Sequence, residues 1–317
     1  MAENSTIEWT THTFNPWVGC AKVSPACDFC YAENWAKRTG QATLWDGDRR
    51  RTRYEQWRKV GKWDTLALVH GERPWVFCAS LADVFDNAVP DEWRADLWRL
   101  IKSTPHLRWQ LLSKRIGNAE RMLPPDWGPD YDHVGFMATI ANQEEADRDL
   151  GKLTDLKRRH RVSWIGISYE PALGPLLLQH RELIGGVVRN WLGDGGLDWV
   201  VAGGESGPRA RPPHQDWFRS VRDQCTAAGT PFLFKQWGEW LPGTQFNEAN
   251  VVDPDPEQSR FACVHWDGDR WVKNGGSWID DTNGDEVYRV GKKAAGRLLD
   301  GREHNGMPTV FGEAMPA

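Results

Sequence analysis

The stretch FNPWVGCAKVSPACDFCYAE, Phe14–Glu33, gathers cysteines on one short segment as Cys20-x6-Cys27-x2-Cys30. It follows a β-branched and aromatic run, Ile7–Phe14, that reads as a strand. Three thiolates on one loop can hold a cubic 4Fe–4S cluster and leave one iron without a protein ligand. Two other readings stay open: a structural zinc ion with His12 or Asp28 as fourth ligand, and a buried or reactive thiol cluster. Cys78, Cys225 and Cys263 are scattered singly, so the spacing does not describe a disulfide framework.

Outward from that loop, one pattern repeats to about residue 240. A short apolar run ends in small or polar residues, a helical segment follows, and the next run begins. The candidate strands are Ile7–Phe14, Trp75–Ser80, Arg108–Ser113, His133–Thr139, Val162–Ser168, Trp199–Ala202 and Pro231–Lys235. Helical spacing of apolar residues marks Asp91–Ser103, Asn142–His160 and Gln215–Ala228. Strands alternating with helices predict parallel β/α units, built either as a barrel or as an open doubly wound sheet. The barrel is preferred because nearly every strand ends in polar residues, which converge on one mouth only in a barrel. The fold expected is therefore α/β, a partial or complete parallel (β/α) barrel over residues 1–240. Residues 40–73 read as a basic insertion. Residues 241–317 read as a Trp-rich extension, with a hairpin from Phe261–Trp266 and Arg270–Lys273 and a Gly/Lys-rich tail.

Composition sets the class. The chain has 317 residues, 40% hydrophobic and 26% charged, enough to bury a sizeable core. No apolar run approaches the ~18 residues of a membrane span, and the polar start MAENSTIEW has no signal-peptide profile. The expected compartment is the cytoplasm, with no membrane partner. A formal charge of −5 removes bulk attraction to nucleic acid but leaves room for a local basic patch. Twenty tryptophans read mainly as core packing.

With the cysteines, the phrases LADVF, LLSKR, SYEPALGPL, WVVAGGESGPRARP, FLFKQWG and VGKKAAGRLLDGR occur in order from about residue 7 to 308. Together they resemble a phage- and prophage-associated family of unknown function with a three-cysteine motif, grouped with radical S-adenosylmethionine (SAM) proteins. The resemblance implies a 4Fe–4S cluster on Cys20, Cys27 and Cys30 and a SAM-type barrel, and supplies no substrate. Phe29 matches the aromatic residue often found before the last cysteine in that superfamily. The six residues AKVSPA between the first two cysteines exceed the common superfamily spacing.

Strand ends supply the remaining candidates for cofactor binding. The superfamily's Gly-Gly-Glu motif follows the second strand, where this chain has Ala79-Ser80-Leu81-Ala82-Asp83, so Ser80 and Asp83 are expected at the amino end of SAM. Gly204 and Glu205 follow the sixth strand instead, where paired glycines let a ligand approach the backbone. Glu170 sits where fifth-strand residues of such barrels approach adenine. Ser113, Lys114, Thr139 and Ser168 also end strands and are expected to line the mouth. Lys235 can pair with Glu205 or Glu170, or hold a carboxylate. Cys78 is a candidate hydrogen-atom donor, against the alternative of an inert core thiol.

The insertion Trp45–Trp63 carries seven Lys/Arg against three acids, interleaved with Trp45, Tyr54, Trp57 and Trp63. It reads either as a nucleic-acid surface or as an amphipathic segment that docks its aromatics. The functional expectation is a radical SAM enzyme that generates a 5′-deoxyadenosyl radical, takes an electron from a separate donor and acts on nucleic acid. The alternative is a non-enzymatic nucleic-acid-binding protein stabilised by an iron–sulfur cluster or zinc.

Overall fold

The computed structural model describes residues 2–184, 187–247, 249, 262–273 and 286–309. Its centre is a sheet of seven parallel strands. In chain order they are β1 (His12–Thr13), β4 (Trp75–Cys78), β5 (Arg108–Ser113), β6 (Val134–Thr139), β7 (Trp164–Tyr169), β10 (Trp199–Gly203) and β11 (Phe232–Gln236). Spatial order follows chain order with no reversal. Parallel crossovers are right-handed almost without exception, so a sheet without reversal carries all its connections on one face. The other face must then bury itself by curling inward, which gives a half-barrel rather than a doubly wound sheet. β11 and β1 are not paired with each other, so the half-barrel is open at that seam.

The outer face is covered by α2 (Tyr54–His70), α3 (Asp91–Lys102), α5 (Gln143–His160) and α6 (Gln215–Ala228), with α1 (Tyr31–Arg38) beside the first strand and a short α4 (Ala119–Met122) after β5. α5 starts at a reciprocal cap: Asn142 Oδ1 accepts from Glu145 N at 3.0 Å, and the Glu145 carboxylate accepts from Ala141 N at 2.8 Å. Between β7 and β10 the described chain forms a two-stranded ribbon, β8 (Gln179–Ile184) with β9 (Val187–Asn190), which the apolar periodicity did not reveal.

The insertion reading of residues 40–73 is corrected. Only its first part is a loop with a short strand, β3 (Arg50–Arg51), paired antiparallel with β2 (Trp17–Val18). The remainder, α2, is a structural helix whose Trp57, Val60, Trp63 and Ala67 enter the main core.

The inner face explains the tryptophans. Along β4, β7 and β10 alternate residues turn inward, and Trp9, Trp75, Trp164 and Trp199 meet there with Phe77, Met137, Val201 and Leu233 as a second core. Trp75 and Trp164 pack edge to face at 5.5 Å, and Trp164 and Trp199 at 6.0 Å. These rings come from strand starts, so they fill the amino end of the half-barrel and leave the carboxyl end to polar side chains. Glycine makes room for them: a Cβ on Gly135 would lie 1.8 Å from the Trp164 ring.

The segment after 240 does not stand apart from the barrel. β12 (Leu241–Pro242), β13 (Cys263–Trp266), β14 (Trp271–Lys273) and β15 (Glu286–Tyr288) form an antiparallel sheet, and a short α7 (Lys292–Ala295) follows. Phe261, read as the start of the hairpin, lies outside the described residues. The tail then runs antiparallel along the free edge of β11, with Phe234 N donating to His304 O and Gly306 N to Phe232 O, each at 2.9 Å. Gly306 O accepts the Trp199 indole N–H at 2.7 Å.

Asp300 anchors this tail to α6, through Arg219 at 2.6 Å and Arg222 at 2.5 Å. Burial alone would raise its carboxyl pKa, but hydrogen bonds from the two guanidinium groups outweigh that and hold it at about 2. The stabilisation is full above the unfolded value of about 4 and is lost as pH falls towards 2. Acid titration followed by hydrogen exchange should show the tail loosening across that window, and Asp300→Asn should abolish the pH dependence there.

Candidate metal and cofactor site at the carboxyl end of the sheet

β2 delivers the chain to Gly19, whose φ of +119° and contacts admit no side chain. A Cβ there would lie 2.7 Å from both Leu44 O and Asp48 O. Gly19 N donates to Leu81 O, and Cys20 N to Leu44 O, each at 3.1 Å. The root of the cysteine loop is thus pinned between the turn after β4 and the loop before β3. The long spacing to the second cysteine is a capped turn. Ser24 Oγ accepts from Ala26 N at 3.0 Å, and Pro25–Cys27 form one 3₁₀ turn. Cys30 then occupies the N-cap position of α1, where backbone N–H groups favour a thiolate or an anionic cluster.

Two arginines missed by the sequence reading clamp this loop. Arg115, just past the end of β5, keeps only 10% of its side chain exposed. It donates to Cys20 Sγ at 3.4 Å, to Ala21 O at 2.8 Å and to Asp83 Oδ2 at 3.1 Å. Arg211 donates to Asp28 Oδ2 at 3.1 Å and to Pro25 O at 2.9 Å, and makes a two-pronged pair with Glu205. Arg209 and Arg211 both lie over the Phe29 ring, at 4.6 and 5.0 Å. The cysteine loop is therefore roofed by cations. Burial and the nearby Asp83 carboxylate push the Cys20 thiol up to about 11, with Arg115 opposing them.

Several expected ligand contacts are occupied by the protein itself. Asp83 accepts from Ser113 Oγ at 2.7 Å, Phe85 N at 2.9 Å and Lys114 N at 3.0 Å, besides Arg115. Its carboxylate thus positions Arg115 rather than facing the mouth. Glu205 holds Arg211 in the same way. Gly204 is close-packed for its own fold, since a Cβ would meet Trp237 O at 1.8 Å. Cys78 turns away from the interior: it is fully buried in the helix-facing core, and burial raises its thiol pKa. That placement does not suit hydrogen-atom donation into the mouth.

Ser80 lies at the mouth, bonded to the buried Asn15 through Nδ2–Oγ at 3.0 Å, and Tyr31 Oη donates to its carbonyl at 2.6 Å. Neither Asn15 nor Tyr31 carried a sequence signal beyond adjacency to the cysteines. Thr139, Ser168, Glu170 and Lys235 share the inward parity of the tryptophan floor and stand above it. Lys235 Nζ lies 2.9 Å from Glu170 Oε1, and Ser168 Oγ donates to Glu170 Oε2 at 3.4 Å. Gly203 lets Glu170 lie against the strand, since its Cβ would be 2.7 Å from that carboxylate. Lys114 is half-buried at the rim.

A 4Fe–4S cluster is tested here by the chemistry of the donors. Cys20, Cys27 and Cys30 are free thiols on one loop at strand carboxyl ends, and one receives an N–H donor at sulfur, as cluster sulfurs do. The donor set fits by type. Among the described residues no three His, Cys, Asp or Glu side chains already converge as metal ligands. The zinc reading fits less well, because both proposed fourth ligands are engaged. His12 stacks on Trp63 at 4.3 Å, and Asp28 pairs with Arg211. No helix among the described residues is long and apolar enough to cross a membrane.

Comparison with solved structures finds distant similarity to spore photoproduct lyase. A doubly substituted variant "with bound AdoMet and dinucleoside spore photoproduct" aligns over 88% of this chain and 68% of its own, at 11% identity and TM-score 0.40. A singly substituted variant with the dinucleoside gives 86%, 66%, 11% and 0.37, and the enzyme complexed with the dinucleoside gives 86%, 66%, 11% and 0.38. The chain thus spans about two thirds of the length of these proteins. No curated protein matches it. A family model does, from residue 4 to residue 308, and the chain belongs to that family, described as a protein of unknown function, DUF5131.

Proposed function

We propose that the protein is a radical SAM enzyme, with a 4Fe–4S cluster on Cys20, Cys27 and Cys30, that acts on nucleic acid. One observation carries the reading. Three free thiols sit on a loop clamped by Arg115 and Arg211, at the same end of the sheet as the carboxylate–ammonium pair of Glu170 with Lys235. The cluster and SAM would together supply a 5′-deoxyadenosyl radical, given one electron from a separate donor. This chain's residues supply the surroundings. Lys235 offers a cation to a carboxylate, while Glu170 and Ser168 offer acceptors to an ammonium or to ribose hydroxyls. The Trp9–Trp75–Trp164–Trp199 floor keeps water from the base of the site. The phage and prophage setting implied by the sequence resemblance agrees with a nucleic-acid substrate.

A second reading, a cluster-stabilised nucleic-acid binder without catalysis, draws on a specific finding. Asp83 and Glu205 are neutralised by arginines, which leaves Glu170 as the acidic group facing the interior. The two readings separate in one experiment. Anaerobic reconstitution should give brown protein with about four irons per chain, and Cys20→Ala, Cys27→Ala or Cys30→Ala should each remove the colour. With dithionite and SAM the wild type should release 5′-deoxyadenosine, and Glu170→Gln should lower the yield while keeping the iron. Intact iron with no SAM cleavage selects the binder. A colourless protein with one tightly held zinc overturns both cluster readings.

A further inference from the structure

Beside the cysteine loop, α1 and the β2–β3 ribbon enclose a cavity of about 430 Å³. Its walls include Trp35 of α1, Gln41, Gln56 and three arginines, Arg50, Arg51 and Arg53. Val18 and Leu81, which also line it, lie next to Gly19 and Ser80, so the cavity adjoins the root of the cysteine loop. Gly19 locks that relation, because the loop 44–48 packs directly on its backbone.

The arginines of this segment do different things. Arg49 is buried against Asp86, at 2.7 Å, and is structural. Arg51 pairs with Asp96 at 2.5 Å and lies over the Trp57 ring at 4.7 Å. Trp57 itself is buried and donates to Thr52, so it cannot stack a base. Arg50 and Arg53 are exposed, and among the described residues neither has an ion-pair partner. In a chain of net charge −5, two unneutralised guanidinium groups in a cavity also lined by a tryptophan describe a site for a planar anion. A nucleotide has that chemistry: a phosphate for the arginine forks and a base for the indole. The volume suits one nucleotide, at the small end of ordinary ligand pockets.

We propose that this cavity receives one nucleotide of a single-stranded nucleic acid, its phosphates on Arg50 and Arg53 and its base against Trp35. The proposal deepens the nucleic-acid part of the function above and rests on it. It moves the contact from the buried Trp57 and Arg49 to a cavity that can admit a strand beside the cysteines.

The test is fluorescence anisotropy of a labelled single-stranded oligonucleotide with the anaerobically reconstituted full chain, without reductant, so that no turnover is needed. The Arg50→Gln/Arg53→Gln double variant should weaken binding about tenfold or more at low salt. The slope of log affinity against log salt should fall by about 1.4, at ~0.7 for each lost phosphate contact on a single strand. Arg50→Lys/Arg53→Lys should retain much of the salt slope, and Trp35→Ala should cost about tenfold with the slope unchanged. Melting curves on each variant exclude misfolding. Wild-type binding absent at low salt, or an unchanged slope in the double glutamine variant, overturns the proposal, as does equal loss of duplex and single-strand binding on Trp35→Ala. Failure here is separable from failure of the radical chemistry. A chain that cleaves SAM but shows no arginine-dependent binding sinks only this site, and a chain that binds through these arginines but never cleaves SAM sinks only the enzyme reading.

Discussion

Asp83→Ala is expected to cost about 3–5 kcal/mol in urea unfolding, the usual penalty for removing one member of a buried ion pair. The Asp83 carboxylate and the Arg115 guanidinium are both buried, at 6% and 10% side-chain exposure. Removing the carboxylate would leave Arg115 charged with only Ala21 O and Cys20 Sγ as partners. It would also strand the Ser113 hydroxyl and the Phe85 and Lys114 amides that now donate to it. Asp83→Asn keeps the shape and part of the hydrogen bonding, and should fall between. On the cluster reading, the same variants should lose iron faster under a chelator than wild type, because Arg115 ties the Ala21 carbonyl and the Cys20 sulfur to the end of β5. A cost under ~1 kcal/mol with unchanged iron retention would show that the pair is solvated and that Arg115 does not hold the loop.

Gly135→Ala should be at or beyond the upper end of the ~1–3 kcal/mol typical of overpacking. The added Cβ would lie 1.8 Å from the Trp164 ring, which cannot rotate away among Trp75, Trp199 and the strand beneath it. A double-mutant cycle decides whether this contact is the cause. In a Trp164→Leu background, itself costly through the cavity it leaves, Gly135→Ala should become nearly neutral or stabilising. An undiminished penalty in that background would place the strain in the β6 backbone instead.

The strand–helix alternation, the seven parallel strands and the cysteine loop were legible because they depend on local patterns: apolar runs of strand length, helical periodicity and a short motif. α3, α5 and α6 lie where periodicity placed them, within a residue or so. The β8–β9 ribbon and the docking of α2 were not legible. Charged residues around Trp57 and Trp63 look the same on an exposed arm as on a helix whose opposite face is buried.

The roles of the strand-end residues show the limit most clearly. Asp83, Glu170 and Glu205 look alike in the sequence, each a carboxylate just past an apolar run. Which is neutralised depends on Arg115 and Arg211, and these reach cysteine-loop atoms 95 and 183 residues away in the chain. No local pattern encodes such a meeting. The side on which Cys78 points was likewise undetermined, because strands of a parallel sheet are apolar on both faces and alternation loses its contrast. The sequence by itself determined the chemistry available, namely three thiols on one loop, carboxylates and a lysine at strand ends, and a run of arginines. Tertiary structure decided which of those groups hold the loop together and which, Glu170, Lys235, Arg50 and Arg53, keep part of their surface exposed. Long-range packing sets burial and ion pairing, and a buried pair spends its charge on its partner.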